Sequence, residues 1–137
     1  MFKILLIFII VNMSNIDYAT VLIKIRNNFK WRVSDNYESI IWDESNTVPI
    51  PTLAECEAAW QEILNEAPMK KLRHERNIKL LNTDKYTSIP DWPHPSEEVK
   101  QSWLTYREEL RDLPSNSTPG LDEHGQLTNV TWPTPPS

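Results

Sequence analysis

Hydrophobic positions along this chain follow three rhythms in succession, and each predicts a different kind of element. Ile4 to Val11 is an unbroken apolar run behind one positive residue, Lys3. From Thr20 the pattern turns to period two, with Val21, Ile23 and Ile25 on one face and Thr20, Leu22 and Lys24 on the other, which predicts a strand. Asn27-Asn28 is a turn signal because asparagine tolerates left-handed backbone, and beyond it Phe29, Trp31 and Val33 alternate with Lys30, Arg32 and Ser34. A second turn signal, Asp35-Asn36, precedes Tyr37 to Trp42, where both faces carry apolar groups. That run suits the centre of a three-stranded antiparallel meander, a sheet so small that it needs a helix on its face.

From Pro51 the apolar spacing lengthens to three and four. Thr52 and Glu55 make a capping box, and Leu53, Cys56, Trp60 and Ile63 form one stripe of a helix from Leu53 to Asn65. Asn65-Glu66-Ala67-Pro68 predicts a break, since proline disfavours helical geometry in the residue before it. A second helix follows from Met69 to Asn82, with Leu72, Ile78, Leu80 and Leu81 as its apolar residues and Lys70, Lys71, Arg73 and Arg76 as a basic front. The third runs from Glu97 to Asp112. Ser96 caps it, Glu97 and Glu98 complement its N-terminal dipole, and Leu113-Pro114 stops it. Its stripe is Val99, Trp103, Tyr106 and Leu110.

These elements add up to an α+β fold: a small three-stranded antiparallel meander from about Thr20 to Trp42, three helices, and an extended Pro-rich C-terminal tail with a short strand within Leu127 to Trp132. The chain divides into an apolar N-terminal extension over residues 1–12, a small sheet plus capped helix over 13–67, and a helical region with its extended tail over 68–137.

Composition narrows the function. A chain of 137 residues, 39% of them hydrophobic, can fold. Its net charge of -5, with 14 basic residues dispersed among 19 acidic ones, argues against a nucleic-acid partner, which would need clustered Lys and Arg. Most of the eleven prolines lie from Pro90 onward. Cys56 is the single cysteine, so no intrachain disulfide or cysteine metal cluster can form, and its place on an apolar helix face marks it as a packing residue.

Candidate chemistry is sparse. His74-Glu75-Arg76-Asn77-Ile78 begins like a helical zinc motif, but Ile78 stands where the second histidine is needed. His94 and His124 have no ligand spacing, and there is no glycine-rich phosphate loop or nucleophile elbow. No enzyme, metal or cofactor is expected. The aromatics Phe29, Trp31, Tyr37 and Trp42 suit either cross-strand packing or a stacking platform for sugars.

The apolar run of the first twelve residues is too short for a bilayer span, which needs about 20 residues in a helix. It reads as an extension upstream of a start at Met13, as a signal or anchor, or as a buried strand. No membrane is expected unless those residues are a real signal. Asn-X-Ser/Thr triplets begin at Asn12, Asn116 and Asn129 and matter only in a secreted chain.

Three separated stretches carry a resemblance. Arg76 to Asp84 ends in Leu80-Leu81-Asn82-Thr83-Asp84, Ile89-Pro90-Asp91-Trp92-Pro93 follows, and then comes Trp103-Leu104-Thr105-Tyr106-Arg107-Glu108-Glu109-Leu110-Arg111-Asp112. Together with the closing Val130-Thr131-Trp132-Pro133, they resemble the phage tail assembly chaperone family over about residues 76–136. Upstream, Tyr37 to Trp42 followed by the capped helix is similar to a small module of phage tail proteins, the XkdW-like group.

The resemblance implies a non-catalytic tail or tail-fibre assembly factor, or a minor tail structural protein, that binds another tail polypeptide. It would act in the host cytoplasm during assembly or within the virion tail, as a monomer or a homo-oligomer. It also implies that Trp103, Tyr106, Arg107, Leu110, Arg111, Leu80, Leu81, Asp84 and Trp92 are the motif core or partner-binding set. Trp103, Tyr106 and Leu110 would close against a Leu80-Leu81 face, with Arg107 and Arg111 reaching acids such as Asp84 or Asp91. The alternative is a small secreted or envelope-directed protein whose aromatic sheet binds carbohydrate.

Overall fold

The computed structural model describes residues 15–86 and 96–137. The N-terminal extension of residues 1–12 and the loop containing Trp92 lie outside the described residues. The chain divides into two compact units, with the boundary between Asn65 and Glu66. Among the described residues the fold is α+β, with three helices and two small antiparallel sheets of two strands each.

The first unit opens with helix α1 (Tyr18–Arg26), where the alternating pattern had predicted a strand. The Asp17 carboxylate decides the matter locally, accepting from the Thr20 amide at 3.1 Å and from its hydroxyl at 2.6 Å. Tyr18, Val21, Leu22 and Ile25 also recur at helical spacing, so the same residues satisfy both periods. Tertiary burial then overrides β-branched propensity. Val21 is fully buried, in a core with Ile16, Cys56 and Ala59, against which Tyr18, Ile25, Tyr37, Trp60 and Ile63 pack.

The meander reduces to a two-stranded hairpin. Strand β1 (Trp31–Arg32) pairs with β2 (Ile41–Trp42), with Trp31 opposite Trp42 and Arg32 opposite Ile41. Between them Tyr37–Ser39 is a 3-10 turn, because the Asn36 side chain caps it by accepting from the Ser39 amide at 2.9 Å. Local capping therefore consumes half of what the pattern assigned to a third strand.

Helix α2 (Leu53–Thr83) is a single element, where Pro68 had predicted two. Its start is the expected capping box: the Thr52 amide donates to the Glu55 carboxylate at 2.7 Å, and the Glu55 amide donates back to the Thr52 hydroxyl at 3.2 Å. Pro68 forfeits one backbone donor, yet strong helix formers flank it and the Glu66–Lys70 pair at 2.7 Å bridges the same turn. The first half of α2 meets α1 through Lys24–Glu62 at 3.3 Å and Arg26–Glu55 at 3.7 Å.

In the second unit, a 3-10 turn (Asp84–Tyr86) ends α2, and helix α3 (Glu97–Asp112) begins at Ser96, whose hydroxyl accepts from the Val99 amide at 3.3 Å. Strand β3 (Gly120–Leu121) then pairs with β4 (Leu127–Thr128). The turn between them is built by Asp122, whose carboxylate accepts from the amides of His124 and Gln126, and by Gly125 at φ 70, where a side chain would be strained. Among the described residues of this unit, Leu72, Tyr106, Leu110 and Leu113 are the buried apolar ones.

The helix-start carboxylates make a pH prediction. Hydrogen bonds from Thr20 hold Asp17 below its ordinary value of 3.8, and those from Thr52 hold Glu55 below 4.5. The unfolded chain therefore takes up protons first, so the stability these groups contribute is present above those values and is lost as pH falls through the lower folded ones. Thermal unfolding followed by circular dichroism should show the midpoint falling below pH 4.5, with a shallower fall in Glu55→Gln.

Candidate functional site

The end of α2 leaves its last carbonyls without intrahelical partners, and one side chain from α3 supplies them. Arg107 Nη1 donates to the Leu80 carbonyl at 2.9 Å and to the Thr83 hydroxyl at 2.7 Å, and it pairs with Asp84 at 2.8 Å. The Thr83 hydroxyl in turn donates to the Leu80 carbonyl at 2.7 Å. A guanidinium, only 12% exposed, thus sits on the negative end of a helix dipole with a carboxylate beside it.

Around this clamp the aromatics are ordered. Trp103 stacks on Tyr86 with centroids 4.0 Å apart and planes within 8°, and it meets Tyr106 edge-on at 6.0 Å. Tyr106 is buried, and burial raises its hydroxyl above the usual range. The segment beyond β3 returns along α2: Lys71 Nζ donates to the Gly125 carbonyl at 2.6 Å, and Lys79 lies over the Trp132 ring at 5.0 Å.

The residues singled out from the sequence have different fates. Trp103, Tyr106, Arg107, Leu110, Leu80 and Asp84 surround or form the junction of α2 and α3. Arg111 pairs with Glu108 on its own helix at 2.9 Å, while its carbonyl accepts from Arg76 at 3.4 Å. Leu81 was expected on the inner face and is instead 68% exposed. Leu72 and Thr83 fix which face is inward, and Leu81 lies about 100° round the helix from Leu80. Ile78, at 45%, is exposed with it. Trp92 lies outside the described residues.

Sequence reasoning missed the contributions of Tyr86, Thr83 and Lys79. Thr83 follows Leu80 by one turn and precedes an acid, which is the available signal for a built helix end. Lys79 could not be paired with Trp132 from spacing alone.

In the first unit the aromatics that suited a sugar platform spend their polar atoms internally. Trp31 Nε1 donates to the Arg26 carbonyl at 3.2 Å, Trp42 Nε1 to Val48 at 2.9 Å, and the Tyr37 hydroxyl to Pro51 at 2.9 Å, while Phe29 packs on Trp42 at 5.9 Å. The Cys56 thiol is buried, and burial pushes it up, away from reactivity. Among the described residues, no group of three or more His, Cys, Asp or Glu is placed to hold a metal ion. No helix there is long and apolar enough to cross a membrane.

Compared with models of known families, residues 69–137 match the phage tail assembly chaperone proteins. No curated protein and no solved structure matches the chain. The matched stretch begins within α2 and takes in the Arg107 clamp, the Trp103–Tyr86 stack and the returning segment. With its clamp, its stacked aromatics and half of its length inside that match, the chain belongs to the phage tail assembly chaperone protein family.

Proposed function

We propose that this protein binds another tail polypeptide, a tail or tail-fibre subunit, and holds it during assembly in the host cytoplasm without catalysing a reaction. One observation carries the choice of surface. Ile78 and Leu81 stand 45% and 68% exposed on the same stretch of α2 whose other side supplies the fully buried Leu72 and the clamped Leu80 carbonyl. The clamp and the packed aromatics hold the helix rigid, so the exposed pair is presented in a fixed geometry, as helix-in-groove recognition requires.

Co-expression with the tail proteins of the source virus, followed by affinity capture, tests this. The parent chain should retain one tail polypeptide. Ile78→Asp/Leu81→Asp should retain at least about tenfold less while melting within a few degrees of the parent, since a charge in an apolar contact costs binding and an exposed site tolerates substitution. Capture of no tail polypeptide by the parent chain would refute the function. Undiminished capture by the double variant would refute the surface. Sedimentation of the purified chain distinguishes a second copy of itself from a foreign partner.

A further inference from the structure

A groove runs along the other side of α3, where the C-terminal segment lies beside it. Its wider part, about 620 Å³, is lined by Glu98, Ser102, Tyr106, Glu109, Thr134 and Pro136 among others. A neighbouring depression of about 310 Å³ shares Glu109 and continues past Asp112, Trp132 and Pro133. From Glu98 to Asp112 the strip is about 21 Å long at the helical rise, enough for about six residues of extended chain.

Three features of this strip point to the chemistry of an occupant. Of the acids on α3, Glu97 pairs with Lys100 and Glu108 with Arg111, while Glu98, whose carboxylate accepts from the Ser96 hydroxyl, Glu109 and Asp112 line the groove and form no ion pair among the described residues. Tyr106, 5% exposed, lines the wide part, and its hydroxyl makes no hydrogen bond among the described residues. The hydroxyl is not sealed from solvent, and the residue that carries it lines the groove. Finally, residues 131–137 form no helix or strand, and among the described residues they make no backbone–backbone hydrogen bond, so one wall is chain whose carbonyls are unpaired among those residues.

We propose that this strip binds an extended segment of about six residues bearing lysine or arginine side chains, donated by the tail polypeptide. The carboxylates of Glu98, Glu109 and Asp112 take the cations, the Tyr106 hydroxyl and the free carbonyls take backbone groups, and Pro133, Trp132 and Pro136 cover the aliphatic stems. The inference rests on the reading above that the protein holds a tail polypeptide, and it adds which part of that polypeptide is gripped and by what charge.

The test is fluorescence anisotropy on the full chain with a short dye-labelled peptide alternating lysine and serine, N-acetylated and C-amidated, against its glutamate counterpart. The lysine peptide should bind at least about tenfold more tightly, and the advantage should shrink as salt is raised. Glu98→Gln/Glu109→Gln should lose about tenfold of that binding. Tyr106→Phe, which keeps the ring, should lose about threefold with an unchanged melting temperature. Equal binding of the two peptides, or unchanged binding to Glu98→Gln/Glu109→Gln, would overturn the proposal.

Capture of tail proteins separates this inference from the broader function. If Glu98→Gln/Glu109→Gln keeps full capture while Ile78→Asp/Leu81→Asp loses it, the groove is not the grip and the function stands. If the parent captures nothing, the function falls and the tail origin of the segment falls with it.

Discussion

Arg107→Ala should lower the stability of the second unit by about 2–4 kcal/mol, measured by urea denaturation followed by circular dichroism. The side chain is 12% exposed and answers three groups at once: the Leu80 carbonyl, the Thr83 hydroxyl and the Asp84 carboxylate. Truncation removes the donor from which the Thr83 hydroxyl accepts, leaving that group, in a residue buried at 6% exposure, only its own bond to the Leu80 carbonyl, and it removes the positive charge from the end of the helix dipole. Arg107→Lys keeps the charge, but all three contacts are made by Nη1, which the shorter lysine stem does not reach, so it should recover only part of the loss. Asp84→Asn tests the ionic share separately. Asp84 is 46% exposed, and the effect should be under about 1 kcal/mol. A loss for Arg107→Ala no larger than that for Asp84→Asn would show that the guanidinium does not hold the helix end.

The second large effect concerns the core of the same unit. Leu72 and Leu110 are both fully buried, so either alanine substitution should cost about 2–5 kcal/mol through lost transfer energy and a residual cavity. Leu81→Ala, at a position 68% exposed, should stay within about 0.5 kcal/mol of the parent. Three leucines at apolar positions of two helices, Leu72 and Leu81 of α2 and Leu110 of α3, are thereby divided into two that hold the fold and one available for binding. Equal destabilisation by all three would mean that Leu81 is packed, and the proposed tail-binding patch would lose its most exposed member.

Much of the second unit could be read directly. Ser96 and the acids after it mark the start of α3, its stripe names Tyr106 and Leu110 as buried, and Leu113-Pro114 closes it. These are signals of nearest-neighbour chemistry, in which cap, dipole and spacing all lie within one turn of the groups they act on. The first unit resisted the same treatment. Residues 20–26 are apolar at both period two and period three to four, so a local rule has no means of choosing, and Asp17 lies outside the window that the alternation suggested. Pro68 misled in the opposite direction, because a statistical breaker is only a local cost that flanking helix and an ion pair can outweigh.

The candidate site shows the same division. Arg107, Asp84 and the aromatics announce themselves by motif order, whereas the pairing of Lys79 with Trp132 and of Lys71 with Gly125 depends on chain returning from far along the sequence in both cases. Glu98 and Glu109 are ordinary surface acids until the C-terminal segment is laid beside them.

By itself the order of residues determined where two of the three described helices begin, which face of α3 is apolar, and the family to which the chain belongs. Each of those follows from contacts within a few positions or from motifs kept in sequence. Only the tertiary structure decided that residues 18–26 coil, that α2 passes through Pro68, that Leu81 faces water, and that a line of acids shares a groove with the C-terminal segment. Those outcomes turn on burial and on partners distant along the chain, and no local rule contains the free energy of a contact that has not yet formed.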